Sequence, residues 1–306
     1  MAEWDVSESQ TKRPIQEVRT KWNSCYAMIE RFLLLADFLQ RVLLKVKREK
    51  NTKTRRPSFL SDDELDALTE VRQLLKPLDI VTKSISGEKV GTLSLAIPLL
   101  NALKKNLEKV EAVTPIGFQM KHTLTRLIEE NFPKIEEQKL YGCATLCDPR
   151  FKNVFFSGIE GCAGAINNVG KLIRQHMAAS RQQQQQQADI QENSTPNNTT
   201  GQNEVEGFWS DLDRAVQLAN VQRSDTVASS GMPLELKQFL NRPPVDRKTH
   251  TDPLLAWEDL KDLYPNVCAV ALRFLPLLAT SVPSERLFSH AGLIATQLRN
   301  RLSGHH

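Results

Sequence analysis

The sequence predicts a mainly α-helical protein. Along most of the chain, apolar residues recur at intervals of three and four, which is the spacing of one face of a helix. Strand-like alternation of apolar and polar residues is scarce, and no internal repeat is found. A chain of 306 residues with 40% hydrophobic and 25% charged residues is ordinary for a globular protein. Its length suffices for one large or two modest domains.

The first predicted helix is long and amphipathic, and it begins near Trp22. One continuous apolar stripe follows it for about three heptads. Such a stripe either faces the core of a helical bundle or forms a coiled-coil seam with another chain. The stripe consists of Trp22, Cys25, Ile29, Phe32, Ala36, Leu39, Leu43 and Val46.

A basic and polar segment, KVKREKNTKTRRP at residues 45–57, follows this stripe. It is either a solvated connection between helices or a segment for nuclear import or phosphate contact. No aromatic residue stands among its charges, so stacking on single-stranded bases is not expected.

Further helices are indicated by capping and periodicity. Ser61 and Glu64 form a capping box at the start of the second helix, and Pro77 is expected to kink or end that helix. Residues 86–87, Ser-Gly, indicate a turn. The apolar spacing then predicts helices around residues 93–107, 118–130, 159–179 and 233–240.

Residues 180–207 differ in composition from the rest of the chain. They contain an uninterrupted glutamine run at 182–187 and then a stretch rich in Asn, Thr and Ser. Such a segment buries too little apolar surface to offset its ordering entropy, so it is predicted to be disordered. Order is expected to resume near Phe208 and Trp209.

The residue types alone indicate no active site. Cys143 and Cys147 are the only close cysteine pair, and no further ligands follow at metal-binding spacing, so no metal and no other cofactor is expected. Phosphate-loop, nucleophile-elbow and His-Glu-x-x-His patterns are absent. No run is long enough to span a membrane, and the sparse, odd-numbered cysteines indicate the cytosol or nucleus.

The C-terminal part carries a specific pattern. Residues 279–292 read ATSVPSERLFSHAG, with DPLLAW before them at 252–257 and RNRL after them at 299–302. This pattern closely resembles the C-terminal block of BED-finger-type hAT-superfamily transposases. Two earlier stretches are similar to family blocks in the right order: VRTKWNS at 18–24 and ATLCDPRFK at 144–152. The resemblance covers most of the chain, with the glutamine-rich segment as an insert.

The resemblance implies an RNase H-like core in which three acidic residues hold two divalent metals for DNA strand transfer. Glu285 matches the third acid. The family's first two acids precede the Thr-Arg-Trp block, where this chain has about twenty residues, and no BED finger is present. We therefore expect a truncated or domesticated transposase that is catalytically inactive alone, with Glu285 as a remnant and no metal bound.

The expected fold is a helical insertion domain plus the closing helices of an incomplete RNase H-like core. The predicted organisation is a helical insertion-type region at 1–179, a disordered linker at 180–207 and a hAT C-terminal dimerisation region at 208–306.

The resemblance also implies two kinds of contact residue. Lys21 and Trp22 match a position near the transposon end, although Trp22 could instead begin the buried stripe. The C-terminal aromatic and apolar residues either mediate dimerisation or pack against the chain's own long helix. The predicted dimerisation residues are Trp257, Tyr264, Phe274, Leu275 and Phe288.

The predicted function is a dimerisation module whose partner is a second copy or a related hAT protein, located in the nucleus and not bound to membranes. One alternative is the C-terminal fragment of an active transposase. Another is a nucleic-acid-binding protein that uses residues 45–56. A decaying reading frame without function is the remaining hypothesis.

Overall fold

The computed structural model describes residues 13–18, 21–48, 58–87, 89–192, 231–282 and 284–285, with the helical backbone alone for 47–48 and 184–192. Every regular element in these ranges is helical, which confirms the mainly α-helical prediction. An RNase H-like origin of the closing helices stays a prediction. None of the described helices has the length and hydropathy to cross a bilayer.

Nine α-helices lie in the described ranges. They divide between two compact units, the first made of Met1–Lys83 and Ala102–Pro133 and the second of Ser84–Asn101 and Lys134–His306. Short 3-10 turns occur at Leu93–Leu95 and Ile135–Glu137. The helices are α1 (Trp22–Arg48), α2 (Asp62–Ile85), α3 (Ala96–Lys109), α4 (Pro115–Asn131), α5 (Lys139–Cys147), α6 (Ile159–Glu192), α7 (Leu234–Asn241), α8 (Pro253–Glu258) and α9 (Pro265–Ala271).

The first unit contains α1, α4, most of α2 and the second half of α3. Helix α1 begins at Trp22, where its apolar stripe was predicted to begin. Within that stripe Ile29 is buried and most other members are half-buried, but Trp22 and Val46 are exposed. The buried apolar side chains of the unit are Tyr26, Ile29, Ala67, Leu74, Leu103, Leu107 and Ile128.

The capping box at the start of α2 is confirmed. The Ser61 N–H donates to Glu64 Oε2 at 2.8 Å, and the Glu64 N–H donates to Ser61 Oγ at 3.3 Å. The helix runs through Pro77 to Ile85, so Pro77 does not end it. Leu74 and Asp79 are buried on either side of the proline, and their contacts offset the single backbone hydrogen bond that it removes.

Two side-chain contacts connect the helices of the first unit. Asn23 on α1 donates to Asp79 on α2 at 2.8 Å, and Asp79 also pairs with Lys83 at 2.6 Å. Glu70 on α2 accepts from the Thr114 hydroxyl at 2.5 Å, while the Thr114 hydroxyl caps the first turn of α4. These contacts fix α1 and the start of α4 to α2.

The second unit has one contiguous apolar core. Helices α5 and α6 pack against each other, and both contact α9. The core is built from Leu93, Cys143, Ala144, Leu146, Cys147, Ala165, Val169, Ile173, Leu236, Phe239, Trp257, Leu260, Val267, Cys268, Val270, Ala271, Phe274 and Leu275.

Two helices differ from expectation. Helix α5 was not predicted because residues 142–147 are all buried, so it is apolar on every side and shows no amphipathic period. Helix α6 extends to Glu192, so the first part of the segment predicted to be disordered, 180–192, is helical. Extending a packed helix fixes one residue for each new hydrogen bond, and glutamine is a good helix former. Residues 193–207, together with Phe208 and Trp209, lie outside the described residues.

Candidate interaction site

Asp148 and Arg150 form a buried ion pair directly after α5. Arg150 Nη2 lies 2.7 Å from Asp148 Oδ2, and Arg150 Nε donates to Oδ1 at 2.9 Å, so the pair is bidentate. The Ser94 hydroxyl also donates to Asp148 at 2.6 Å. Arg150 Nη1 donates to the carbonyl of Thr251. The pair therefore connects the end of α5 to the turn before α3 and to the chain entering α8.

Lys152 is buried although it carries a charge. Its Nζ donates to the carbonyls of Phe239 and Arg242 at 2.7 and 2.6 Å, and it lies 4.5 Å from the centroid of the Phe239 ring. These carbonyls lie at the C-terminal end of α7, where a cation is favoured. Burial and the neighbouring charge of Arg242 lower the pKa of Lys152 to about 8. The side chain therefore acts as a charged cap on α7.

The indole of Trp257 lies in the middle of the same core. Its Nε1–H donates to the Cys147 carbonyl at 3.0 Å, which satisfies a carbonyl at the end of α5. The indole stacks on the Phe239 ring, with the ring centroids 5.1 Å apart. The Tyr264 ring packs edge-on against the same Phe239 ring, with the centroids 5.7 Å apart. Side chains from α7, from α8 and from the residue before α9 thus meet at one aromatic cluster.

Glu235 joins α7 to α9. Its carboxylate accepts from the Val267 N–H at 2.8 Å and from the Asn266 side chain at 2.7 Å. A carboxylate at this place satisfies an N–H of the first turn of α9 and favours the positive end of its dipole. The relative placement of the two helices is therefore set by hydrogen bonds as well as by apolar packing.

The chain after α9 is held by backbone contacts around Gly91. A Cβ atom at Gly91 would lie 1.7 Å from the Leu275 carbonyl oxygen, so a side chain cannot fit there without movement. The Thr92 N–H donates to the Leu277 carbonyl at 3.1 Å, and the Ala279 N–H donates to Thr92 Oγ1 at 3.0 Å. These contacts hold the beginning of the ATSVPSER stretch.

Glu285, the expected remnant acid, is exposed. The Ser281 hydroxyl donates to its Oε1 at 2.5 Å, and the Glu285 N–H donates to the Ser281 carbonyl. Across the described part of the chain, no group of three or more His, Cys, Asp or Glu side chains is placed to hold a metal ion. The described residues therefore do not fit a two-metal strand-transfer site.

The predicted dimerisation residues have different environments. Trp257, Phe274 and Leu275 are buried in the core of the second unit, Tyr264 is half-buried, and Phe288 lies outside the described residues. Their contact with a second chain stays a prediction. The exposed apolar side chains of the same part of the chain are Leu255, Leu263, Leu272, Leu277 and Leu278.

The predicted DNA-contact residues lie at the start of α1. Lys21 is exposed, and 42% of the Trp22 side chain is accessible to solvent, so Trp22 does not lie in the buried stripe. The Ser24 hydroxyl accepts from the Val18 N–H at 2.7 Å and donates to the Lys21 carbonyl at 2.6 Å. These hydrogen bonds hold residues 18–21 against the first turn of α1.

The sequence resemblance located the blocks at residues 18–24 and 144–152 but did not indicate which structural contacts they make. The resemblance marked residues 144–152, yet no periodicity or charge pattern shows that Arg150 and Lys152 hold elements about one hundred residues later in the chain. Gly91 lies in a Val-Gly-Thr stretch whose sequence does not indicate its close approach to the Leu275 carbonyl. The one sequence signal for a buried charged pair is Asp148 followed by Pro149 and Arg150 in an otherwise largely apolar stretch.

Comparison with known proteins gives this part of the chain its class. Residues 235–306 match the family model of the hAT family C-terminal dimerisation region. The match begins at Glu235, one residue into α7. The resemblance read from residues 252–302 is thereby confirmed.

Two relatives extend the similarity over most of the chain. Zinc finger BED domain-containing protein 4 of Homo sapiens is 25% identical over 278 residues, which cover 90% of this chain and 22% of the human protein. The tpeD protein of Talaromyces stipitatus, described as a transcriptional regulator, is 24% identical over 293 residues, or 95% of this chain and 30% of that protein. The chain thus spans less than a third of the length of the curated relatives it matches.

Proposed function

We propose that this chain acts as a dimerisation module derived from a hAT transposase and pairs with a second copy or a related hAT protein. The match of residues 235–306 to the hAT dimerisation region carries the proposal. The exposed leucines of this region support it, because covering apolar surface drives association.

The test is the solution mass of the full chain, measured by light scattering after size exclusion over a dilution series. We expect a dimer whose dissociation constant rises at least about tenfold in Leu272→Lys, which places a charge in an apolar contact. Leu272 is exposed, so the fold should tolerate lysine. Leu127→Lys on α4 is the matched control. A monomer at all concentrations, or equal effects of both variants, would contradict the proposal.

A second candidate function is DNA association in the nucleus. The names of the two relatives, one a BED zinc-finger protein and one a transcriptional regulator, favour it. The exposed Trp22 beside Lys21 supplies an aromatic face and a cation of the kind that contact nucleic acid.

Binding of a labelled duplex, followed by fluorescence anisotropy over a salt series, tests this candidate. Lys21→Ala should reduce the salt slope by about one and Trp22→Ala should weaken binding, because one phosphate contact and one stacking face are lost. Lys105→Ala, an exposed lysine on α3, should leave the slope unchanged. Identical slopes in all three variants would remove this candidate.

We also infer that the chain does not transfer DNA strands by itself. The hydrogen bond from Ser281 to Glu285 and the absence of a ligand group among the described residues support this inference. A strand-transfer assay with Mg²⁺ or Mn²⁺ and a transposon-end duplex tests it, and products that disappear in Glu285→Gln would overturn it.

A further inference from the structure

Helix α1 carries a second apolar face that the predicted stripe does not include. At about 100° per residue, Leu34, Phe38 and Val42 lie on the side opposite the half-buried stripe. Their side chains are 58%, 65% and 37% exposed. An exposed phenylalanine flanked by two exposed aliphatic residues at intervals of four is a ridge suited to packing against another helix.

Charged residues border this ridge in a fixed order. Asp37 and Arg41 lie together along one of its edges, the acid nearer the N-terminus and the base nearer the C-terminus. Both side chains are exposed, and neither forms an ion pair with any residue that the structure describes. The nearby Glu30 carboxylate, by contrast, already accepts a hydrogen bond from the Tyr26 hydroxyl at 3.0 Å. Asp37 and Arg41 are therefore available to a partner.

The acid-then-base order of Asp37 and Arg41 matches the same order on a second copy of α1 that runs in the opposite direction. In an antiparallel pair related by a two-fold axis at Phe38, Leu34 faces Val42 of the other copy. The same axis leaves Asp37 of each copy about 3 Å along the helix from Arg41 of the other, a gap that the long arginine side chain can span, so one contact contains two ion pairs. In a parallel pair the edge with Asp37 and Arg41 would instead face the opposite edge of the other copy, so these reciprocal pairs would not form. The charges thus favour the antiparallel direction for a second copy of α1.

Room for the partner exists at the N-terminal end of the ridge. Leu34 lines an open hollow of about 800 Å³ that Ile15 and Arg72 also border. This hollow leaves space beside Leu34 for a side chain of a second copy.

We propose that α1 forms an antiparallel contact with α1 of a second copy, centred on Phe38 and oriented by reciprocal Asp37–Arg41 pairs. Ridges of residues four apart pack at a crossing angle of about 50°. Such a short crossing buries less than the roughly 1,200 Å² of a stable interface. It therefore adds to other contacts between copies. It is separate from residues 235–306 and does not depend on their proposed role.

The first test is a charge swap in the full chain, with self-association measured by sedimentation equilibrium. Asp37→Arg and Arg41→Asp should each weaken association about tenfold, because two attractive pairs become repulsive. The double variant Asp37→Arg/Arg41→Asp should recover most of the loss, since it restores both pairs with their signs exchanged. Gln40→Arg, an exposed position elsewhere on α1, is the matched control.

The second test reads the direction of the contact by disulfide trapping. A mixture of Leu34→Cys and Val42→Cys chains should form a mixed disulfide. Leu34→Cys alone should not pair with itself, because the two positions would lie about 12 Å apart along the helix. The parent chain, with its own half-buried Cys25 and Cys162, sets the background.

Recovery by the double swap together with the mixed disulfide supports the contact. Single variants that associate like the parent, a double swap as weak as the single variants, or trapping of position 34 with itself would each overturn it. The dimerisation-region variant Leu272→Lys is measured alongside. If it alone weakens association, this contact is refuted while the proposed function stands.

Discussion

The two units treat their charged side chains differently. In the second unit Asp148, Arg150 and Lys152 lie in the core, and each is fully engaged by a charge or by backbone carbonyls. In the first unit Asp79 is buried, but its cation Lys83 reaches it from solvent, and the Arg126–Glu130 pair is exposed.

This difference shows what the family-like blocks do in the fold. The DPRFK block of the second unit is a structural junction that holds α7 and the chain entering α8. The KWNS block of the first unit fixes α1 with one bond to Asp79 and leaves Trp22 exposed. A block whose polar groups are all engaged inside the chain serves folding, whereas a block with an exposed aromatic end retains the capacity for contact.

The largest expected effect is that of Asp148→Asn. It leaves the Arg150 guanidinium buried without its countercharge and should lower the free energy of unfolding by about 3–5 kcal/mol. Urea denaturation followed by circular dichroism measures it. Glu130→Gln, which removes the exposed pair with Arg126 in the first unit, should cost less than about 1 kcal/mol. Equal costs would show that the two units do not differ in this way.

An intermediate effect is expected at Glu136. Burial raises its pKa, but hydrogen bonds from Asn101 and Ser157 and from the Gly158 N–H outweigh burial, so the pKa lies below its ordinary value. Because the pKa is depressed in the folded state, this contribution is present above the unfolded value of about 4.3 and is lost as the pH falls through the folded pKa.

Glu136→Gln should therefore destabilise the chain by about 1.5–3 kcal/mol at pH 7, and the difference from the parent should shrink below about pH 4. Urea denaturation at several pH values measures this. Glu137→Gln, its exposed neighbour, should show little difference at any pH. A Glu136→Gln deficit that does not change with pH would refute the linkage.

The smallest expected effect is that of Thr114→Ala in the first unit. It removes the hydroxyl that caps α4 and the bond to Glu70, at a cost of about 1 kcal/mol. Thr123→Ala, within the same helix, should be neutral to within about 0.5 kcal/mol, since alanine has the higher helix propensity. The thermal midpoints of the two variants give the comparison, and a larger loss in Thr123→Ala would contradict the capping role.

Sequence reasoning predicted the helices that begin at a cap or carry one apolar face. The starts of α1 and α2 follow from such signals. It missed α5, which is buried all round. It also missed the second face of α1, because the predicted stripe accounted for only one side of that helix, whereas Leu33, Leu34 and Leu35 are consecutive and lie on different sides. The junction at Asp148 and Lys152 could not be predicted in physical terms, since its partners are set by tertiary packing and by no local preference.

The Lys152 ammonium has a practical consequence for the dimerisation region. The carbonyls it caps belong to α7, at the beginning of the matched residues, but the lysine itself lies some eighty residues earlier. A fragment cut at residue 235 would lack Lys152, Arg150 and the α5 surface that covers Trp257. The region from residue 235 onward is therefore not expected to fold on its own. An exchange of dimerisation specificity between relatives has to carry residues 139–173 along with it.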